Sequence, residues 1–124
     1  MKDAILTHNH PGGWAYDEND IRRIGNSFSL ADFVLAIKGD LKEMRAVTPN
    51  YTFSIKRPEK GWEISAYKLE KIYEQENNKL KIEFSKRISD GELTSVRAIT
   101  THYHILNKKL SKLFNWEYEK LKTI

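Results

Sequence analysis

The hydrophobic rhythm of the chain changes several times, and each change marks an element. The first apolar run, Ala4-Ile5-Leu6-Thr7, is short and continuous and reads as a buried strand. From Pro11 to Phe28 the chain is polar and glycine-bearing, with a short helix expected at about Asn19 to Ile24. Ser29-Leu30-Ala31-Asp32-Phe33-Val34-Leu35-Ala36-Ile37 predicts a helix opened by serine and closed at Gly39. Alternation of period two then takes over. Glu43 to Thr48 and Tyr51 to Arg57, separated by Pro49-Asn50, predict an antiparallel hairpin. Tyr51, Phe53 and Ile55 share one face of it, and Thr52, Ser54 and Lys56 the other.

After Pro58 the period lengthens. Trp62, Ala66, Leu69, Tyr73, Leu80, Phe84 and Ile88 fall close to helical spacing and predict a long amphipathic helix. Asp90-Gly91 breaks it. A second helix is expected from about Glu92, with Val96, Ile99, Tyr103, Leu106, Leu110 and Leu113 in alternating steps of three and four as a short heptad seam. The pattern as a whole predicts an α+β fold: a small mixed or antiparallel sheet with a short helix, then a long C-terminal helical hairpin. Residues 1–60 and 61–124 form its two regions, expected within one structural domain. The seam also offers a homodimer contact, because a small sheet leaves little surface for two long helices.

Composition narrows the chemistry. The 124 residues suit one domain with a modest core. No apolar segment approaches membrane-spanning length, and the first apolar run is too brief for a signal peptide, so no membrane is expected and a cytoplasmic setting follows. Cysteine is absent, which removes disulfides, thiolate metal sites and a thiol nucleophile together. Residues 79–124 carry 10 basic and 5 acidic side chains, whereas residues 1–78 are nearly balanced. Lysines spread along an amphipathic helix read as its solvated face, and without a recognisable DNA-reading helix or aromatic RNA-binding signature nucleic acid is not expected.

The distinctive stretch is His8-Asn9-His10-Pro11-Gly12-Gly13. On a strand, residues i and i+2 project from one face, so His8 and His10 can converge on one cation. Imidazole suits zinc, and a catalytic zinc takes three protein ligands, which leaves a third to find. Ser29-x-x-Asp32 supplies a candidate in Asp32. The same residues form an ordinary helix-capping pattern, and the two roles are compatible. Asp17 and Asp20 are competing ligands. His102-Tyr103-His104 repeats the histidine spelling in a helical setting, where i and i+2 lie about 200° apart, so no chelate is expected there.

A strand with His8-x-His10-Pro11, a loop, and Ser29-x-x-Asp32 at a helix start resembles the JAMM motif of the JAB/MPN zinc metallopeptidases. Over about residues 4 to 62 the chain looks like a JAB-like module of phage and prophage proteins, some of them associated with head morphogenesis. The resemblance implies zinc held by His8, His10 and Asp32, with Ser29 on the oxyanion side and a peptide or protein as substrate in a bacterial host cell or virion. Two departures accompany it. Eighteen residues separate His10 from Ser29, so an insertion around Trp14 to Gly25 must bulge out for Asp32 to reach the histidines. Only seven residues precede His8, so the family's upstream strand and its general-base glutamate have no counterpart. The expectation is therefore an N-terminally truncated relative that takes its base from Glu18, Glu43 or another subunit, or is catalytically inactive. A non-catalytic structural or assembly module is the alternative.

Overall fold

The computed structural model describes residues 3–9 and 27–122. Seven elements follow one another within them: β1 (Ile5–Asn9), α1 (Leu30–Lys38), β2 (Glu43–Val47), β3 (Tyr51–Lys56), α2 (Ala66–Ser89), α3 (Ser95–Phe114) and β4 (Glu117–Lys122). The strands form one mixed sheet in the order β1-β2-β3-β4, with β1 parallel to β2 and the other pairs antiparallel. A parallel pair needs a crossover, and α1 lies in it. The fold is α+β with a C-terminal helical hairpin.

The sheet register gives each face its character. His8 lies opposite Ala46, Ala46 opposite Phe53, and Phe53 opposite Lys120. Met44, Ala46, Phe53 and Ile55 on this face are buried and join residues of all three helices in one core. Arg45 and Ser54, one residue out of phase, belong to the other face. There the Glu43 carboxylate is buried and accepts hydrogen bonds from Arg45 and from Ser54 Oγ, the latter at 3.1 Å. Burial pushes the Glu43 pKa upward, but these hydrogen bonds and the positive charges of Arg45 and Lys56 outweigh it and hold the carboxyl below its ordinary value.

Aromatic packing ties the two halves of the sequence together. Trp62 and Trp116 meet edge to face at 5.2 Å, and Trp62 Nε1 donates to the Leu41 carbonyl at 3.1 Å. Both tryptophans are buried anchors. The long helix begins at Ala66 rather than at Trp62, because Ser65 caps it by accepting from the Lys68 amide.

The C-terminal helix departs from the expected seam. Leu106 and Leu110 are fully buried, but Ile99 is 72% exposed, Leu113 58% and Val96 47%. Length explains most of this. Strands of five or six residues reach about 17–20 Å, whereas helices of 24 and 20 residues reach about 36 and 30 Å. The hairpin therefore overhangs the sheet. Farther along α3 the buried face also includes the polar Asn107 and Ser111. The strand that follows, β4, was not expected from the pattern. Asn115 makes it possible by adopting φ 58, a left-handed conformation that asparagine tolerates, and this ends α3.

Candidate functional site

The opening of α1 is built by its own first four residues. Ser29 caps the helix by accepting from the Asp32 amide at 3.4 Å, and Asp32 Oδ2 accepts from the Ser29 amide at 3.0 Å, a reciprocal capping box. A carboxylate at this position is also favoured by the helix dipole. Asp32 thus has one oxygen held by its own helix. Its other oxygen, Oδ1, lies 3.5 Å from His8 Nε2. Residues far apart in sequence are brought together because β1 ends beside the start of the crossover helix.

The donor set fits a transition metal in kind, since imidazole nitrogen and carboxylate oxygen are both ordinary zinc ligands. The separation fits as well. With zinc bonds of about 2.0–2.2 Å, ligand atoms 3.5 Å apart subtend about 115° at the metal, close to the tetrahedral angle of about 109°. A hydrogen bond to one carboxylate oxygen, leaving the other for the metal, is the usual way an outer residue orients a ligand. Among the described residues no group of three histidine, aspartate or glutamate side chains is placed to hold a metal ion. His10, Asp17, Asp20, Glu18 and Trp14 lie outside the described residues.

Of the acids expected as general base, Glu43 lies among the described residues, and it does not face this corner. Glu43 pairs with Ile5 in the register and shares a sheet face with Arg45, opposite to the face of His8 and Ala46. Asp3 precedes the strand and pairs with Arg57, which also pairs with Asp40 at 2.9 Å. His102 and His104 go to different partners: His102 Nε2 bonds Asn77 Oδ1, and His104 Nδ1 bonds the Tyr118 hydroxyl at 2.9 Å.

Sequence reasoning missed Tyr73. It occupies an ordinary apolar position on α2 and is buried, yet its hydroxyl sits among Tyr103, the Leu30 backbone and Asp32. Burial, then Tyr103, and to a lesser degree the Asp32 carboxylate push its pKa up to about 12, against a hydrogen bond with the Leu30 backbone. Tyr73 is therefore a neutral hydroxyl held by the Leu30 backbone at the start of α1. A tyrosine where leucine would pack equally well was the one available signal.

A second polar cluster ties Ser27 and Phe28, at the entry to α1, to α3 and β4. Asn107 Nδ2 donates to Ser27 Oγ at 3.0 Å and to the Phe28 carbonyl at 2.9 Å. Ser27 Oγ meets the Tyr118 hydroxyl at 2.6 Å, and Tyr118 meets His104. With Nδ1 of His104 unprotonated, donors run from Asn107 through Ser27 and Tyr118 to His104, and each acceptor along the line is used. Burial first, then Lys120 and Lys108, lower the His104 pKa to about 4, which keeps the ring neutral at neutral pH. The cluster positions the start of α1, and with it Asp32.

No protein-family model, curated protein or solved structure matches the chain.

Proposed function

We propose that the corner formed by β1 and the start of α1 is a divalent-metal site, with His8 and Asp32 among its ligands and zinc as the metal. More particularly, we read it as a JAB/MPN-like metallopeptidase site of the phage and prophage type, in a cytoplasmic or virion-associated setting. In that reading His10 is the third ligand and Ser29 the residue on the oxyanion side, and the bond attacked is a peptide or isopeptide bond. The observation that carries the proposal is the 3.5 Å approach of His8 Nε2 to Asp32 Oδ1.

Bound zinc would supply Lewis acidity and a water with a pKa lowered toward neutrality. The chain's own residues do the rest. The Ser29 amide holds the Asp32 carboxylate in one orientation. The Ser29 hydroxyl, which accepts from the Asp32 amide, still has its proton to donate toward a substrate oxygen. Since Glu43 does not face the corner, metal binding does not by itself imply hydrolysis.

Each has its own test. Protein purified without chelators should contain about one zinc per chain by elemental analysis. Added zinc at about a hundredfold excess over Kd should stabilise the fold by about 2.7 kcal/mol, about 8 °C in Tm for a chain of this size. Metal-free protein with no thermal response to zinc removes the proposal. Hydrolysis is tested with peptide and isopeptide substrates, and its cleavage must disappear in His10→Ala and Asp32→Asn. The alternative, a non-catalytic assembly or interaction module, draws its support from the exposed apolar residues on the overhanging hairpin.

A further inference from the structure

The overhang leaves a groove of about 440 Å³ between α2 and α3. Phe84 and Ala98, both buried, lie at its floor, and Ile99, 72% exposed, forms a wall. Val96, one turn earlier and 47% exposed, extends the apolar surface along α3. Asn77 and His102, joined by a hydrogen bond, line the groove on opposite helices. Because Asn77 Oδ1 is engaged there, its Nδ2 protons are turned to other acceptors, as a peptide carbonyl would be. Tyr103 is the last of the side chains that line it on α3.

The charges select an occupant. Among the described residues that line the groove, Lys81 is the one charged side chain and none is a carboxylate. Helix α3 carries Arg97, Lys108, Lys109 and Lys112 and has no acidic residue at all. Over α2 and α3 together ten basic side chains outnumber four acidic ones, and Lys109 is already paired with Glu83 at 3.5 Å, so a second copy laid hairpin to hairpin would meet a surface of the same net charge, which disfavours the homodimer as occupant. An acidic segment is attracted instead, and an apolar floor asks for a large apolar side chain.

We propose that the groove between α2 and α3 docks a polypeptide segment in which a large apolar side chain is flanked by acidic residues. Docking itself is independent of the metal. Binding is therefore measured in the presence of EDTA.

The probe is a library of random dodecapeptides displayed on phage, selected on the intact protein and then counter-selected on Ile99→Glu. Ile99 is mostly exposed and Lys81 is exposed, so Ile99→Glu and Lys81→Glu should keep the parent circular dichroism spectrum and Tm. Enriched peptides should combine Leu, Phe, Trp or Ile with neighbouring Asp or Glu. Their synthetic forms should bind the parent at least tenfold more tightly than Ile99→Glu, and Lys81→Glu should shift the selection toward basic flanks. The proposal is overturned if no peptide survives counter-selection, or if the survivors lack acidic residues. It is equally overturned if sedimentation shows a dimer that Ile99→Glu dissociates, or if a single-stranded oligonucleotide competes for the groove with the same variant sensitivity.

Discussion

His104 should make the fold sensitive to mild acid, and the size of the effect follows from its surroundings. The ring stacks against Phe53 at 5.8 Å and Tyr118 at 5.6 Å, and its Nδ1 bonds the Tyr118 hydroxyl. Its folded pKa is lowered from 6.5 to about 4. Between those values the unfolded chain binds the proton and the folded chain does not, so stability is complete above about pH 6.5 and falls as the pH drops toward 4. At pH 5 the full shift corresponds to about 2 kcal/mol. Solvent screening of a partly exposed ring reduces this to about 1 kcal/mol. The lowered Glu43 pKa acts in the same direction but below its ordinary 4.5, so a comparison of pH 7.5 with pH 5.0 isolates the histidines. His102, also lowered by burial and by Lys81, stays in place as a common background.

The variant is His104→Asn, which keeps a polar atom near Nδ1 for Tyr118 and removes the titration. Urea unfolding at the two pH values gives the four free energies needed. The variant should be about 1 kcal/mol less stable at pH 7.5 through loss of ring packing, and the gap should close or reverse at pH 5.0. Equal loss of stability in parent and variant between the two pH values would refute the account of His104 as a buried neutral ring.

Other consequences follow from the same packing. Asn107→Ala removes both donors that hold Ser27 Oγ and the Phe28 carbonyl, so it should cost about 2–4 kcal/mol in urea unfolding; a cost under about 0.5 kcal/mol would show that the cluster does not position α1. Asp32→Asn retains an oxygen for the Ser29 amide and should lose less than about 0.5 kcal/mol of stability, whereas Asp32→Ala breaks the capping box and should lose about 1 kcal/mol. Both substitutions should weaken zinc binding by more than about tenfold, and equal zinc affinity in Asp32→Asn and the parent would separate the carboxylate from the metal. Arg45→Ala takes a donor from the buried Glu43 carboxylate and should lower the urea midpoint at pH 7, with the loss shrinking as Glu43 becomes protonated below its ordinary pKa; a loss that does not shrink would contradict the pairing.

Legibility varied with how local the determining physics is. Ser29-x-x-Asp32 announced a helix start from four adjacent residues, and the structure contains that capping box. The hairpin was equally readable, since Phe53 and Ile55 alternate with Thr52 and Ser54 along β3. β4 was not. In Glu117-Tyr118-Glu119-Lys120-Leu121-Lys122 the core-facing positions hold Tyr118 and Lys120, with Lys120 Nζ 4.3 Å over the Tyr51 ring, so pairing with β3 rather than an apolar pattern makes the strand. The heptad seam misled because periodicity gives the side of a helix and not the length over which a partner covers it. At the site, the approach of His8 to Asp32 was anticipated from the motif, while Tyr73 depended on how α2 packs across the start of α1.

A competition titration tests the proposed metal site at His8 and Asp32 most directly. Metal-free parent and His8→Ala would each compete with a chromophoric zinc indicator, with circular dichroism confirming that both are folded. The account predicts about one zinc per parent chain and an affinity in His8→Ala weaker by more than about tenfold. Zinc bound as tightly by His8→Ala as by the parent would contradict it.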